Sequence, residues 1–163
     1  MLQRSPGFPA ALDMRIAPCT SKPMVQTTLI IPTAGQGLYE FTAKARAFVG
    51  ETGLETGLLT VFVRHTSASL LIQENADPDV RSDLEAFFAR LVPPADDPKM
   101  SYLAHRLEGP DDMPAHIKSA LTQVSLSIPI GGGQLMLGTW QGLYLFEHRD
   151  QPHRRHVVMH ISQ

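Results

Sequence analysis

The segment GLLTVFVRHTSA, residues 57–68, alternates apolar and polar side chains, a period of two that a helix cannot satisfy. Leu59, Val61, Val63 and His65 fall on one face, and Leu58, Thr60, Phe62 and Arg64 on the other. This predicts a half-buried strand with His65 at the end of its core-facing row. SLLIQEN follows closely and reads as a second strand packed against the first. VQTTLII, stopped by Pro32 and followed by GQG and GLYEFT, predicts an N-terminal pair of antiparallel strands. Near the C-terminus VSLSIPI, a GGG turn, QLMLGTWQGLYLFEHR and RHVVMHI supply three more strands.

Helical spacing appears between these runs. TAKARAFVGETG reads as a short helix closed by glycine. In DPDVRSDLEAFFARLVPP, Asp77 is placed to cap a helix and Pro78 to open it. Val80, Leu84, Phe87, Phe88 and Leu91 then form one apolar stripe. Pro93, Pro94 and Pro98 end that helix. Asp112 is placed to cap another, starting at Pro114 and running to about Gln123. These elements predict a single α+β domain, a mostly antiparallel sheet covered by a few helices. The 163 residues, 43% of them hydrophobic, are enough for one core but not for two full domains.

The expected boundaries are a mobile N-terminal extension, residues 1–24, and a folded domain, residues 25–163. The extension holds four prolines and no apolar run of signal-peptide or membrane-spanning length. Its arginines and lack of glutamate leave a transit-peptide reading open beside the default of a cytoplasmic protein. Cys19, the only cysteine, excludes an intrachain disulfide and any multi-cysteine zinc site. With 14 basic and 16 acidic residues, no global charge points to nucleic acid or a membrane surface. Any anion affinity must come from a local site.

The densest candidate is HRLEGPDDMPAH, residues 105–116. His116 falls in the first turn of the expected helix, where the dipole favours a neutral imidazole with a nitrogen free for a metal. His105 and Glu108 are three apart and can converge on a turn, and His65 offers a third imidazole. Three protein ligands with an open position is the plan of a reactive zinc site. The competing reading is a polar connection, since H-x-x-E arises readily by chance in a chain with seven histidines. ENADPD, residues 74–79, lacks the glycine and distal glutamate of a calcium loop, and capping accounts for Asp77. The GGG at 131–133 reads as a hairpin turn, since no strand-to-helix junction with a lysine follows. His148, His153, His156 and His160 stand among Arg149, Arg154 and Arg155, a group that reads either as a solvated strand edge or as a phosphate-binding rim. No G-x-S-x-G elbow is present, although Ser67 and Ser69 can hydrogen-bond a ligand.

Three motifs in order, HTSASLLIQENADPDVRSDLEAFFARLVP, HRLEGPDDMPAHIKSAL and LGTWQGLYLFEHRD, resemble the YjbQ-like family of small bacterial and archaeal proteins, from about Val25 to the C-terminus. The resemblance implies an α+β fold assembled as a homotrimer. It also implies a secondary thiamine-phosphate synthase activity, joining a pyrimidine methyl diphosphate to a thiazole phosphate with loss of pyrophosphate. The family's polar positions correspond here to His65, Glu74, Asn75, Asp77, Arg81, Asp83, His105, Glu108, Asp112, His116, Trp140, Gln141 and Glu147. The expectation is therefore a divalent metal, zinc or magnesium, on His65, His105 and His116, with Glu74, Asp83 and Glu108 as catalytic groups. Ser67, Asn75, Arg81, Asp112, Trp140, Gln141, Arg154 and Arg155 would contact a small phosphorylated substrate. Two alternatives are a metal-dependent phosphate-ester hydrolase, with Glu108 or Glu74 activating water, and a non-catalytic trimer binding an anionic metabolite.

Overall fold

The computed structural model describes residues 25–163; the expected extension of residues 1–24, with Cys19, lies outside the described residues. In chain order the elements are β1 (Val25–Thr33), β2 (Gly37–Glu40), α1 (Thr42–Thr52), β3 (Thr56–Val63), β4 (Ala68–Glu74), α2 (Pro78–Leu91), α3 (Asp112–Leu121), β5 (Ser125–Gly131), β6 (Gln134–Leu135), β7 (Gln141–Glu147) and β8 (His153–Ser162). The α+β class is as expected, but the strands divide into two sheets. One has the order β1-β8-β3-β5-β6 and the other β2-β7-β4.

The period-two pattern of β3 explains its place. Leu59, Val61 and Val63 are buried, beside Leu126, Ile128 and Ile130 of β5 and Val157, Met159 and Ile161 of β8. Ala68, Leu70, Leu143 and Leu145 of the second sheet belong to the same core, which Phe41, Ala45 and Val49 of the α1 region complete. Strand β7 is buried from Gly142 to Glu147 without alternation. Its far face is covered too: Phe88 of α2 meets Phe146 edge-on with ring centroids 5.2 Å apart.

Several sequence expectations are corrected here. β1 and β2 do not pair; β1 lies against β8 from Val25↔Ile161 to Thr33↔His153, and β2 against β7. β4 pairs with β7 and packs against β3 across the shared core, as expected of SLLIQEN. Both short links, 34–36 and 64–67, carry the chain from one sheet to the other, so sequence neighbours become partners across the core. Because β3 ends at Val63, His65 lies beyond the strand and is exposed, not at the end of a buried row. β8 runs between β1 and β3, so its basic residues do not guard a sheet edge.

The helices follow their signals with two differences. Asp77 accepts a hydrogen bond from the Asp79 backbone and Pro78 opens α2, as expected, and Gly53 closes α1 in the left-handed conformation. However, the α2 stripe is only partly used: Val80, Leu84 and Phe88 are half-buried, while Phe87 and Leu91 remain exposed. Helix α3 begins at Asp112, two residues before Pro114, with Asp111 in the capping position but making no side-chain cap bond. Both aspartates are engaged elsewhere, and that engagement builds the site.

Candidate metal centre

The start of α3 and the loop before it bring His105, Asp112 and His116 together, with one donor atom from each lying within 4.8 Å of the others. His105 Nε2 donates to Asp112 Oδ2 at 2.7 Å. His116 Nε2 lies 3.6 Å from the same oxygen, the i,i+4 spacing of one helix face. A tetrahedral metal with ligand bonds near 2.1 Å separates its donors by roughly 3.4 Å. The group therefore needs only small shifts and a change of the His105 tautomer, its proton moving from Nε2 to Nδ1, to close around a cation.

The surroundings fix these donors. His116 Nδ1 donates to the Thr66 carbonyl at 3.0 Å, which leaves Nε2 as the lone-pair nitrogen facing Asp112. Arg149 Nη1 donates to Asp112 Oδ1, Nε to Asp111 Oδ2 at 2.8 Å and Nη2 to the Glu108 carbonyl at 2.9 Å. Asp112 is buried, and with Oδ1 held by the guanidinium its Oδ2 is left to face the two imidazoles. Burial alone would raise the Asp111 carboxyl, yet the Asp150 backbone N–H and Arg149 hold it below its ordinary range. The preceding loop is tied by Arg106, which donates to the carbonyls of Ala95, Met100, Ser101 and Leu103.

Against the expected ligand set, His105 and His116 meet, but the third member is Asp112 and not His65. Glu108 enters the centre only through its backbone carbonyl, and its side chain is exposed. His65 instead accepts at Nδ1 from the Ser67 backbone at 3.1 Å, with Ser67 Oγ at 3.0 Å from the same nitrogen. Its remaining proton is therefore on Nε2. Partial desolvation, followed by the Arg155 guanidinium, pushes this imidazole below its ordinary range.

Behind His65 lies a buried ion pair. Arg155 Nε and Nη2 each donate to Glu147 at 2.6 Å, and Nη2 also donates to Ser67 Oγ at 3.3 Å. Arg155 is thus a structural cation and no part of an exposed rim, whereas Arg154 points to solvent. Next to this pair, His148 is 1% exposed, bonded to Ser69 Oγ at 2.9 Å and stacked edge-on against Phe146. Burial and the nearby Lys118 ammonium push its pKa down to about 3. A neutral His148 stabilises the fold above the unfolded imidazole pKa near 6.5, and this stability is lost as pH falls from there to about 3. His148→Gln, which keeps an amide near Ser69 but does not titrate in this window, should flatten the acid limb of unfolding by up to about one proton. Urea melts at stepped pH measure that slope, and an unchanged slope counts against a neutral buried imidazole.

The remaining expected site residues gather elsewhere. At the far end of β4, some 20 Å from its start, the Glu74 carbonyl accepts from Tyr144 Oη at 3.3 Å, and Asn75 Nδ2 donates to Glu40 Oε1 at 3.3 Å. Arg81 and Asp83 lie on α2, Trp140 is exposed, and Gln141 Oε1 accepts from the Gly138 backbone at 2.8 Å. Within this chain they do not join the histidines. Sequence reasoning gave Asp111 no role and read Arg149 only as part of the basic group near the C-terminus, not as the partner of these aspartates; the adjacent aspartates at a helix start, one more than a cap needs, were the available signal.

The fold and site together define a two-sheet α+β protein with a His–Asp–His cluster at the first turn of a helix. The chain belongs to the YjbQ family, since residues 27–163 match the family model described as UPF0047 protein YjbQ-like. It is 58% identical over 137 residues to the UPF0047 protein sll1880 of Synechocystis sp., covering 84% of this chain and 90% of that protein. It is 39% identical over 134 residues to the UPF0047 protein YjbQ of Escherichia coli O157:H7, covering 82% and 94%. Among solved structures, an uncharacterized YjbQ/UPF0047 protein of Clostridium acetobutylicum is similar with a TM-score of 0.71 and 34% identity, over 85% of this chain and 99% of that one.

These relatives correct the function that the resemblance implied. They are named as UPF0047 proteins and, for the Clostridium structure, as an uncharacterized conserved protein, so membership carries no thiamine-phosphate synthase activity. The hydrolase and the non-catalytic trimer have no support from them either. Among the described residues no helix is long and apolar enough to cross a membrane.

Proposed function

We propose that His105, Asp112 and His116 hold one divalent metal ion with coordination positions left open for an oxygen donor of a small molecule. The supporting observation is the cluster itself: two imidazoles and a carboxylate within 4.8 Å, the carboxylate's second oxygen occupied by Arg149. Two nitrogen donors argue for zinc or another first-row transition metal, because magnesium selects oxygen ligands. When bound, such an ion polarises the oxygen of its ligand. The chain's own residues orient and neutralise: Thr66 sets the His116 tautomer, and Arg149 sets the Asp112 rotamer. For His105 to ligate through Nε2 its N–H must move to Nδ1, a change of tautomer that releases no net proton.

Full-length protein, stripped with chelator and dialysed against zinc, should retain about one equivalent per chain. His105→Ala and His116→Ala should each lose it at equal folded content by circular dichroism. Equal zinc content in the parent and both variants overturns the assignment.

A further inference from the structure

His116 has a second role: its ring also lines a pocket of about 660 Å3, walled by Phe62, Val124 and Ala120 and edged by Arg64, His65 and Thr66. The pocket thus begins at the proposed metal ligand and runs out over apolar surface. Phe62 is 45% exposed and Val124 37%, an aromatic ring and a branched side chain left open next to polar chemistry. At the polar end, His65 has Nδ1 turned onto its own loop, so Nε2–H is its outward donor, and it makes no bond among the described residues. Arg64 adds a cation that forms no ion pair among the described residues. One end therefore offers a donor and a positive charge next to one proposed metal ligand, His116; the other offers an aromatic wall.

We infer that this pocket binds a small molecule with an oxyanion head and a flat apolar body, the head reaching the metal and His65 Nε2–H, the body lying on Phe62 and Val124. A carboxylate and a phosphate monoester share the head chemistry. The inference rests on the metal reading of the cluster, and it makes His65 a positioning residue in place of the metal ligand expected from sequence.

The test uses the zinc-loaded full chain and four probes by calorimetry: phenyl phosphate against inorganic phosphate, and benzoate against acetate. Each aromatic probe should bind about tenfold tighter than its bare head, the return from partly covering one ring. Phe62→Ser should bring both ratios to near one, and His65→Phe should weaken all four probes by roughly tenfold while keeping the ratios. Zinc content should stay at the parent level in both variants. Ratios near one in the parent, or ratios unmoved by Phe62→Ser, overturn the pocket while leaving the metal in place. Loss of zinc from the parent overturns the metal reading separately, and tenfold ratios surviving without zinc still support the apolar half of the pocket. A fall in molecular mass on Phe62→Ser at unchanged fold would assign the surface to a second copy of the chain and overturn the inference.

Discussion

Glu147→Ala is expected to lower the unfolding free energy by about 3–5 kcal/mol, the cost of leaving a buried guanidinium without its partner. Glu147 is fully buried and Arg155 only 2% exposed, and the carboxylate also accepts from Thr33 Oγ1 and from the His148 and Arg149 backbones. Burial would by itself raise the Glu147 carboxyl, but Arg155, the Arg149 backbone N–H and the Thr33 hydroxyl bring it below its ordinary range. A depressed carboxylate contributes stability above its unfolded pKa and loses it as pH falls through the folded value, so the pair is intact at neutral pH. Thermal melts should show a fall of roughly 10–15 °C for a domain of this size. The paired replacement Glu147→Leu with Arg155→Met removes both charges and should restore most of the loss. If the single variant melts within about 2 °C of the parent, roughly 1 kcal/mol or less, the pair does not bear on stability.

Asp112→Ala should have the largest effect on the proposed metal centre. The substitution removes the oxygen that both imidazoles face and leaves Arg149, paired only with Asp111, next to two histidines. Zinc affinity, measured by competition with a chromophoric chelator, should fall by more than about a hundredfold, beyond the ten- to hundredfold usual for an outer-sphere change. Arg149→Met, which releases Oδ1 and leaves the three donors in place, should fall within that smaller range. Equal losses for the two variants would mean that Asp112 supports the loop and does not ligate. Retention of parental affinity by Asp112→Ala would remove it from the centre altogether.

Which parts of this were legible in the sequence follows from the range of the signals. β3 could be read because burying one face of a strand writes a period of two into seven neighbouring residues. The start of α2 could be read because a cap and a proline act within one turn. Strand partners could not: nothing local in GLYEFT distinguishes Phe146 from a β1 residue as the neighbour of Leu38, and the choice depends on how two sheets share one core. His65 was misplaced by carrying the β3 alternation two residues beyond its end. His105 and His116 stood out because no capping or packing role accounted for them. Asp112 was expected as a helix cap and a substrate contact but not beside the two histidines as a donor, because its decisive partner Arg149 is 37 residues away.

The Arg106 clamp carries a consequence for how the centre behaves in time. The loop bearing His105 is held largely by polar ties, Arg106 on four carbonyls and Arg149 on the Glu108 carbonyl among them, whereas His116 stands on a helix whose neighbours Ala115 and Ser119 are buried in the fold. Polar ties of that kind are open to competition from water and denaturant, so the loop belongs to the part of a protein that opens locally before global unfolding. A cation bridging His105 to His116 would close a ring of 12 residues around Asp111 and Asp112, linking the more labile arm to the rigid one. Uptake and release of the ion would then be governed by excursions of that arm, and amide exchange between Ala104 and Pro110 would report whether the ring is shut.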